Sequence, residues 1–338
     1  MGGGLNRRPD LWSRVSAASG SLRKFASTFA NPSESLLPEL RPPRAYAVIT
    51  PPEQKTLEAL ADAIARVERS GPNVELDHRA VAALNQIASL IERPALFIQD
   101  GTFTTPDSRW RILEHSKRQL ERAIAAVGRV EFERPSGESQ LGTGFLVAPN
   151  LIITNRHVAR LLASERKGSW KVKPGVRPRI DFLEENQSVT ERQFEIEAVE
   201  FVSDDPRLDV ALMSIARQGV GGEAQPDPVT LSQRTHPRKD RLVATIGYPR
   251  EGEGKDAGLQ RAMLAGRFGV KRLQPGRVLR SASPIFAHDC TTTTGNSGSC
   301  VVAIQDGAAI GLHYFGTTRV ENLAVALEPL VRRKIWTS

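Results

Sequence analysis

The chain has 338 residues, 40% of them hydrophobic and 25% charged, the balance of an ordinary folded globular protein and not of a fibrous repeat or a wholly disordered chain. Forty-six Lys and Arg against 38 Asp and Glu leave a net charge of +8. The excess is scattered, with no aromatic-rich basic tract beside it, so nucleic-acid binding is not expected. No apolar run approaches the roughly 18 residues that cross a bilayer, and residues 1–8 run on into Trp, Ser and Arg instead of an apolar leader core. The expectation is a cytoplasmic protein with no membrane partner.

Residues 1–50 mix Gly, Ser, Arg and Pro without a sustained apolar period and read as a flexible tail or linker. Thr50-Pro51-Pro52-Glu53 has the form of a helix start, with a capping hydroxyl, Pro in the first turn and Glu three positions after the cap. Leu57, Leu60, Ala61, Ile64 and Val67 follow at helical spacing. A second helical face over 78–92 carries Val81, Leu84, Ile87, Leu90 and Ile91 and stops before Pro94. A third, over 106–127, carries Trp110, Leu113, Leu120 and Ile124 and ends at Gly128. Residues 51–128 are therefore predicted to be a small helical module, a regulatory or docking element for a protein partner.

After Gly128 the pattern turns to short β-type runs punctuated by Gly and Pro. Candidate strands lie at 129–133, 143–148, 151–154, 179–183, 194–202, 210–215, 242–248, 261–265, 277–280, 299–305, 309–315 and 322–327, with a closing helix over 328–335. Twelve strands are enough for two six-stranded barrels. The expected fold is an all-β barrel or sandwich over 129–338 preceded by the helical module. Cys290 and Cys300 read as reduced, partly buried thiols, and no Cys or His cluster has zinc-ligand spacing, so neither a metal nor an organic cofactor is expected.

Three short segments carry chemistry. In Gly295-Asn296-Ser297-Gly298-Ser299 the glycines permit a tight turn that exposes the Ser297 hydroxyl while the N–H groups of Gly295 and Ser297 face a developing oxyanion. A serine hydroxyl is barely ionised at neutral pH, so it needs a base and a carboxylate to orient that base. His157, in Thr154-Asn155-Arg156-His157-Val158, follows an apolar hairpin turned at Pro149-Asn150, which predicts a strand terminus for it; the other five histidines lack that setting. Asp209 opens the apolar run Val210-Ala211-Leu212-Met213. Its rivals Asp204 and Asp205 precede Pro206 and read as turn formers.

These segments, with Gly142-Thr143-Gly144-Phe145-Leu146-Val147 and Ile246-Gly247-Tyr248-Pro249, resemble the bacterial trypsin-like peptidases, the chymotrypsin-fold group that includes HtrA-type proteases and glutamyl endopeptidases. The resemblance spans about residues 129–336. It implies two six-stranded β-barrels with the His157, Asp209 and Ser297 triad in the cleft and a protein or peptide substrate. Where digestive relatives carry Asp before the nucleophile, this chain has Asn296, so activation by pairing with a newly cut N-terminus is not implied. Gly311-Leu312-His313 resembles the strand that places a histidine in the P1 pocket of glutamyl endopeptidases, and Thr292 falls where a pocket hydroxyl is expected. That implies a preference for Glu or Gln before the cut bond. The reading from another class is a protease-fold protein that binds peptides, or serves as an adaptor, without cutting.

Overall fold

The computed structural model describes residues 3–4, scattered positions between 62 and 92, and then 93–105, 110–134, 137–232, 237–252, 260–261, 264–316 and 321–333. Apart from residues 3–4, the predicted tail over 1–50 lies outside those residues, as do most of the first two predicted helices. By contacts the chain divides into two compact units, Met1–Pro94 with Gly252–Arg267, and Ala95–Glu251 with Phe268–Ser338. In the smaller unit a short antiparallel pair, β1 (Gly3–Gly4) and β2 (Glu75–Leu76), is described. Val67, Val74, Leu76, Val81 and Leu84 are buried, the last almost without exposure.

The larger unit holds both barrels. The first closes in the order Gln193–Val202 (β10), Ala211–Ile215 (β11), Leu151–Thr154 (β6), Gly137–Ala148 (β5), Val127–Arg134 (β4) and Pro178–Asp181 (β9). Every pairing is antiparallel, so successive side chains point alternately inward and outward. In β10, for example, Phe194 and Ile196 are buried while Glu195 and Glu197 face water. With Phe145, Ile152, Ile153, Ile180 and Met213 they belong to the buried apolar core. Each such side chain contributes about 1.5–3 kcal/mol by leaving water.

The second barrel runs Leu242–Gly247 (β12), Cys300–Ala303 (β15), Ala309–Gly316 (β16), Asn322–Ala326 (β17), Ile285–His288 (β14) and Arg272–Ala282 (β13), and closes where β13 pairs with β12. Leu96–Phe97 (β3) is added to β13 from outside the ring. Both six-stranded barrels expected from the sequence are present, with one strand exchanged. The apolar run predicted as a strand over 261–265 has local helical bonds instead, Leu264 N–H to the Gln260 carbonyl at 3.0 Å and Gly266 N–H to that of Arg261 at 2.7 Å. Its place in the ring is taken by β14, a four-residue strand directly after the Ser283-Pro284 turn.

The third predicted helix is described as two pieces, Ile112–His115 and Lys117–Ala125. Leu113, Leu120 and Ile124 are buried in the same apolar cluster as the barrel residues, and this helix falls in the larger contact unit. A buried polar seam reinforces that attachment. Lys271 Nζ donates to the Ile124 and Phe182 carbonyls at 3.1 and 2.7 Å and to Glu185 Oε1 at 3.1 Å. Burial pushes the Lys271 ammonium down from its ordinary value, against the attraction of Glu185.

Candidate active site

Strand β6 ends at Thr154, and the chain passes through Asn155 into a short helix, Arg156–Leu162. His157 thus lies in the first turn of that helix, three residues past the strand terminus. Its backbone N–H, which has no partner inside the helix, donates to Asp209 Oδ1 at 3.0 Å. Its ring Nδ1 meets Asp209 Oδ2 at 2.6 Å. Both carboxylate oxygens therefore grip one residue. Asp209 is itself held by the Asn155 side chain, whose Nδ2 donates to the Asp209 carbonyl at 2.9 Å.

Burial alone would raise the Asp209 carboxyl, but the hydrogen bond and charge of His157, with Arg156 behind them, hold it below the ordinary carboxylate value. An ionised Asp209 only accepts, so His157 carries its proton on Nδ1 and leaves Nε2 bare as a base. The rival Asp205 is a turn former. It takes Arg207 through its backbone N–H and its guanidinium at 2.8 to 3.0 Å, and those bonds hold its carboxyl at about 2. Asp204 is exposed on the same turn.

Ser297 lies between β14 and β15, on the loop that the second barrel carries to the first. Its carbonyl accepts from Thr143 N–H at 2.8 Å, and the Thr143 carbonyl accepts from Thr154 Oγ1 at 2.7 Å, three residues before His157. On the other side Gly298 N–H donates to the His313 carbonyl, and His313 N–H to the Ser299 carbonyl, both at 2.9 Å. Ser297 Oγ is partly exposed and makes no hydrogen bond among the described residues. In such sites the bond from hydroxyl to imidazole often closes only when substrate is bound.

Two glycines make this loop possible. Gly295 and Gly298 have φ of +90° and +87°, left-handed values that side chains resist. A Cβ on Gly295 would meet the Tyr248 carbonyl at 2.6 Å, and one on Gly298 would overlap the Thr143 carbonyl. Between them Asn296 is fully buried, its Nδ2 donating to the Thr293 carbonyl and its Oδ1 accepting from Ser299 Oγ, both at 3.2 Å. The position is neutral and satisfied without any cation. Neither the Gly295 nor the Ser297 N–H is spent on a hydrogen bond among the described residues.

Near Ser297 the second barrel buries a histidine pair. His288 Nε2 and His313 Nδ1 are 3.2 Å apart, and His288 Nδ1 has no partner among the described residues. A buried N–H without an acceptor is rarer and costlier than a bare ring nitrogen, so the proton of His288 belongs on Nε2, donating to His313 Nδ1. His313 then holds its own proton on Nε2. Burial, with the His157 charge nearby, pushes His313 down to about 3, and burial pushes His288 well below its ordinary value, so both rings are neutral. Thr292 Oγ1 donates to Asn322 Oδ1 at 2.7 Å, and Asn322 Nδ2 in turn donates to the Cys290 carbonyl at 2.6 Å. The hydroxyl proton of Thr292 is thereby spent, leaving its lone pairs.

The partner role of His288 had no signal in the sequence, because β14, β16 and β17 come together only on barrel closure. Thr143 stood inside a recognisable Gly142-Thr143-Gly144 segment, but its contacts to the loop did not. Cys290 and Cys300 are buried thiols outside any disulfide, and burial raises the Cys300 thiol far above its ordinary value. No described helix is long and apolar enough to cross a membrane.

The match to a protein-family model agrees with this architecture. The model of the trypsin-like peptidase domain matches residues 142–312, just over half of the chain. A probable serine protease of Lysobacter enzymogenes is 29% identical in an alignment of 270 residues, with a coverage of 69% for either chain. The crystal structure of an inactive form of Rv3671c from M. tuberculosis H37Rv overlaps 63% of this chain and 88% of its own at 16% identity, with a TM-score of 0.41. The chain belongs to the trypsin-like peptidase family. It is a serine protease, a hydrolase whose substrates are proteins.

Proposed function

We infer that the protein is an endopeptidase in which Ser297 attacks the scissile carbonyl, His157 takes its proton as general base, and Asp209 holds the imidazole in the required tautomer. The N–H groups of Gly295 and Ser297 stabilise the oxyanion of the tetrahedral intermediate. The imidazolium then gives its proton to the leaving amine, and water releases the acyl group by the same route in reverse. The observation that carries this reading is the double grip of Asp209 on His157, which leaves the imidazole Nε2 bare, while Thr154 and Thr143 tie the end of the preceding strand to the Ser297 loop. Each oxyanion donor in such a site is worth about 3 kcal/mol of barrier.

The P1 side chain is read as Gln or Glu. His313 supports this by holding a proton on Nε2, a neutral donor suited to a side-chain oxygen. Thr292, its own proton spent on Asn322, accepts from an amide NH2 and repels a carboxylate, which favours Gln. This likeness to glutamyl endopeptidases rests on those two residues. Residues before the barrel unit are read as the element through which a protein partner regulates the enzyme.

Cleavage of a proteome-derived peptide library by the full chain, with Ser297→Ala as the blank, tests both levels. New ends formed only by the wild type and preceded by Gln or Glu are expected. Ends preceded mainly by Arg, Lys or aliphatic residues would overturn the P1 assignment, and identical ends from Ser297→Ala would overturn the nucleophile. No new ends at all, from a wild type that also resists a fluorophosphonate, would favour the peptide-binding reading.

A further inference from the structure

The oxyanion loop is held by its carbonyls. Four consecutive peptide oxygens are each engaged: Thr294 O by Arg250 N–H at 2.6 Å, Gly295 O by Thr143 Oγ1 at 3.2 Å, Asn296 O by Ser299 N–H at 2.9 Å, and Ser297 O by Thr143 N–H at 2.8 Å. A peptide group is planar, so fixing its carbonyl fixes the direction of the N–H on the other side. The N–H of Gly295 shares a plane with the Thr294 carbonyl, and that of Ser297 with the Asn296 carbonyl. With both carbonyls tied and both N–H groups unspent, the pair is set before any substrate arrives.

Of these four bonds, two come from one residue of the first barrel. Thr143 is fully buried on β5, and its hydroxyl has no freedom to serve elsewhere. It accepts from Tyr248 N–H at 3.2 Å, lies 3.4 Å from Ser299 Oγ, and has its single proton left for the Gly295 carbonyl. Its backbone grips the loop on the far side of the nucleophile. One side chain and one amide therefore bracket Asn296 and Ser297.

We propose that Thr143 is a positioning residue for catalysis: its hydroxyl clamps the Gly295 carbonyl across the barrel junction and keeps the oxyanion loop in the conformation that presents both donors. This rests on the reading of Ser297 as nucleophile and of the Gly295 and Ser297 N–H groups as its oxyanion donors. Without the hydroxyl the 295–296 peptide keeps, among the described residues, the bond from Asn296 N–H to the Thr293 carbonyl at 3.2 Å, and tilting about that single tether carries the neighbouring donors off line. Loss of one oxyanion donor or a displacement of about 1 Å is worth about 100-fold in rate, and a loosened loop a part of that.

The test uses the full chain and a fluorophosphonate, whose attack by Ser297 builds negative charge on a phosphoryl oxygen in the same place as a peptide oxyanion. Thr143→Val, which keeps shape and removes the hydroxyl, is expected to lower the limiting labelling rate constant about 10- to 100-fold, with the reagent's saturation constant within about threefold of the wild type. Thr143→Ser, which restores the hydroxyl, is expected to recover most of that loss. A merely structural residue would move the melting temperature and leave the split between the two constants unchanged. If Thr143→Val does not fold, Thr143→Ala supplies the same loss of hydroxyl. A limiting rate in either within about threefold of the wild type, or a loss in Thr143→Ser as large as theirs, would overturn the clamp. Labelling that survives Ser297→Ala overturns the nucleophile reading instead, so the two failures are distinguishable.

Discussion

The two barrels contribute to the site in opposite ways. The first supplies an ionised carboxylate and its imidazole partner near the surface, with the His157 side chain 48% exposed and that of Asp209 17%, joined by bonds from the backbone and the ring of one residue. The second supplies a neutral, closed assembly in which Asn296, Ser299 and His288 are fully buried and His313 nearly so, each tied to backbone or to another neutral group. The comparison teaches that proton transfer and oxyanion binding make different demands. The base must reach substrate and exchange protons with water, whereas the donors must hold still in a region of low dielectric, where a dipole acts strongly.

Removing either end of the relay should have the largest effect and breaks the comparison outright. Ser297→Ala and His157→Ala are each expected to lower kcat about 10⁴- to 10⁶-fold, and Asp209→Asn about 10³- to 10⁴-fold because the wrong tautomer is then stabilised. Steady-state hydrolysis of a protein substrate checks all three. KM is expected to stay within a few-fold, since none of them contributes much to ground-state binding.

Next comes the geometry of the neutral half. Gly298→Ala forces a methyl against the Thr143 carbonyl at a left-handed φ, so the loop must leave its position. At least about 100-fold in kcat is expected, with a lower melting temperature, whereas an alanine at the exposed turn glycine Gly175 should leave kcat alone. Comparing the two by kinetics and thermal melts separates loop strain from a general glycine effect.

Asn296→Asp sharpens the contrast in charge. An ionised carboxylate there has no cation, so at pH 8 a destabilisation of about 2–4 kcal/mol relative to the wild type is expected. Its folded pKa is raised above the unfolded value near 3.9, so the penalty grows as pH rises above about 4 and fades as the protonated acid, a donor and acceptor like the amide, takes its place. Denaturant melts at pH 5 and pH 8 measure the difference.

The most gradual effect, spread over several pH units, is the acid response of the histidine pair. His313 has a folded value of about 3 against an ordinary 6.5, so between those pH values the unfolded chain binds a proton that the folded one refuses. Stability from this group is therefore full above about 6.5 and is lost as pH falls toward about 3. His313→Gln should flatten the fall of stability with acid by up to roughly 1.4 kcal/mol per pH unit, read from denaturant midpoints across that window.

Legibility in the sequence followed the same division. The charged half could be read directly, because a hairpin, a His three residues past it and an Asp at the mouth of an apolar strand are local patterns. The turn around Ser297 could be read too, since Gly295 and Gly298 flag its left-handed positions. The ties that hold it could not. Thr143 and Gly295, or His288 and His313, meet through barrel closure, and no spacing rule encodes that meeting. The exchange of the 261–265 run for Ile285–His288 has the same origin: four residues after a tight turn are too few for periodicity to declare. Likewise the burial of Leu120 and Ile124 in the barrel-unit core is a packing outcome that an amphipathic helix does not announce.

The central claim is that a serine oxygen of the second barrel is made reactive by a histidine of the first. Mass-spectrometric mapping of the full chain after brief exposure to a fluorophosphonate addresses it directly. The account expects a single adduct on the peptide that carries Ser297, absent from His157→Ala at equal exposure. An adduct elsewhere, or one on Ser297 that forms as fast without the imidazole, would contradict it.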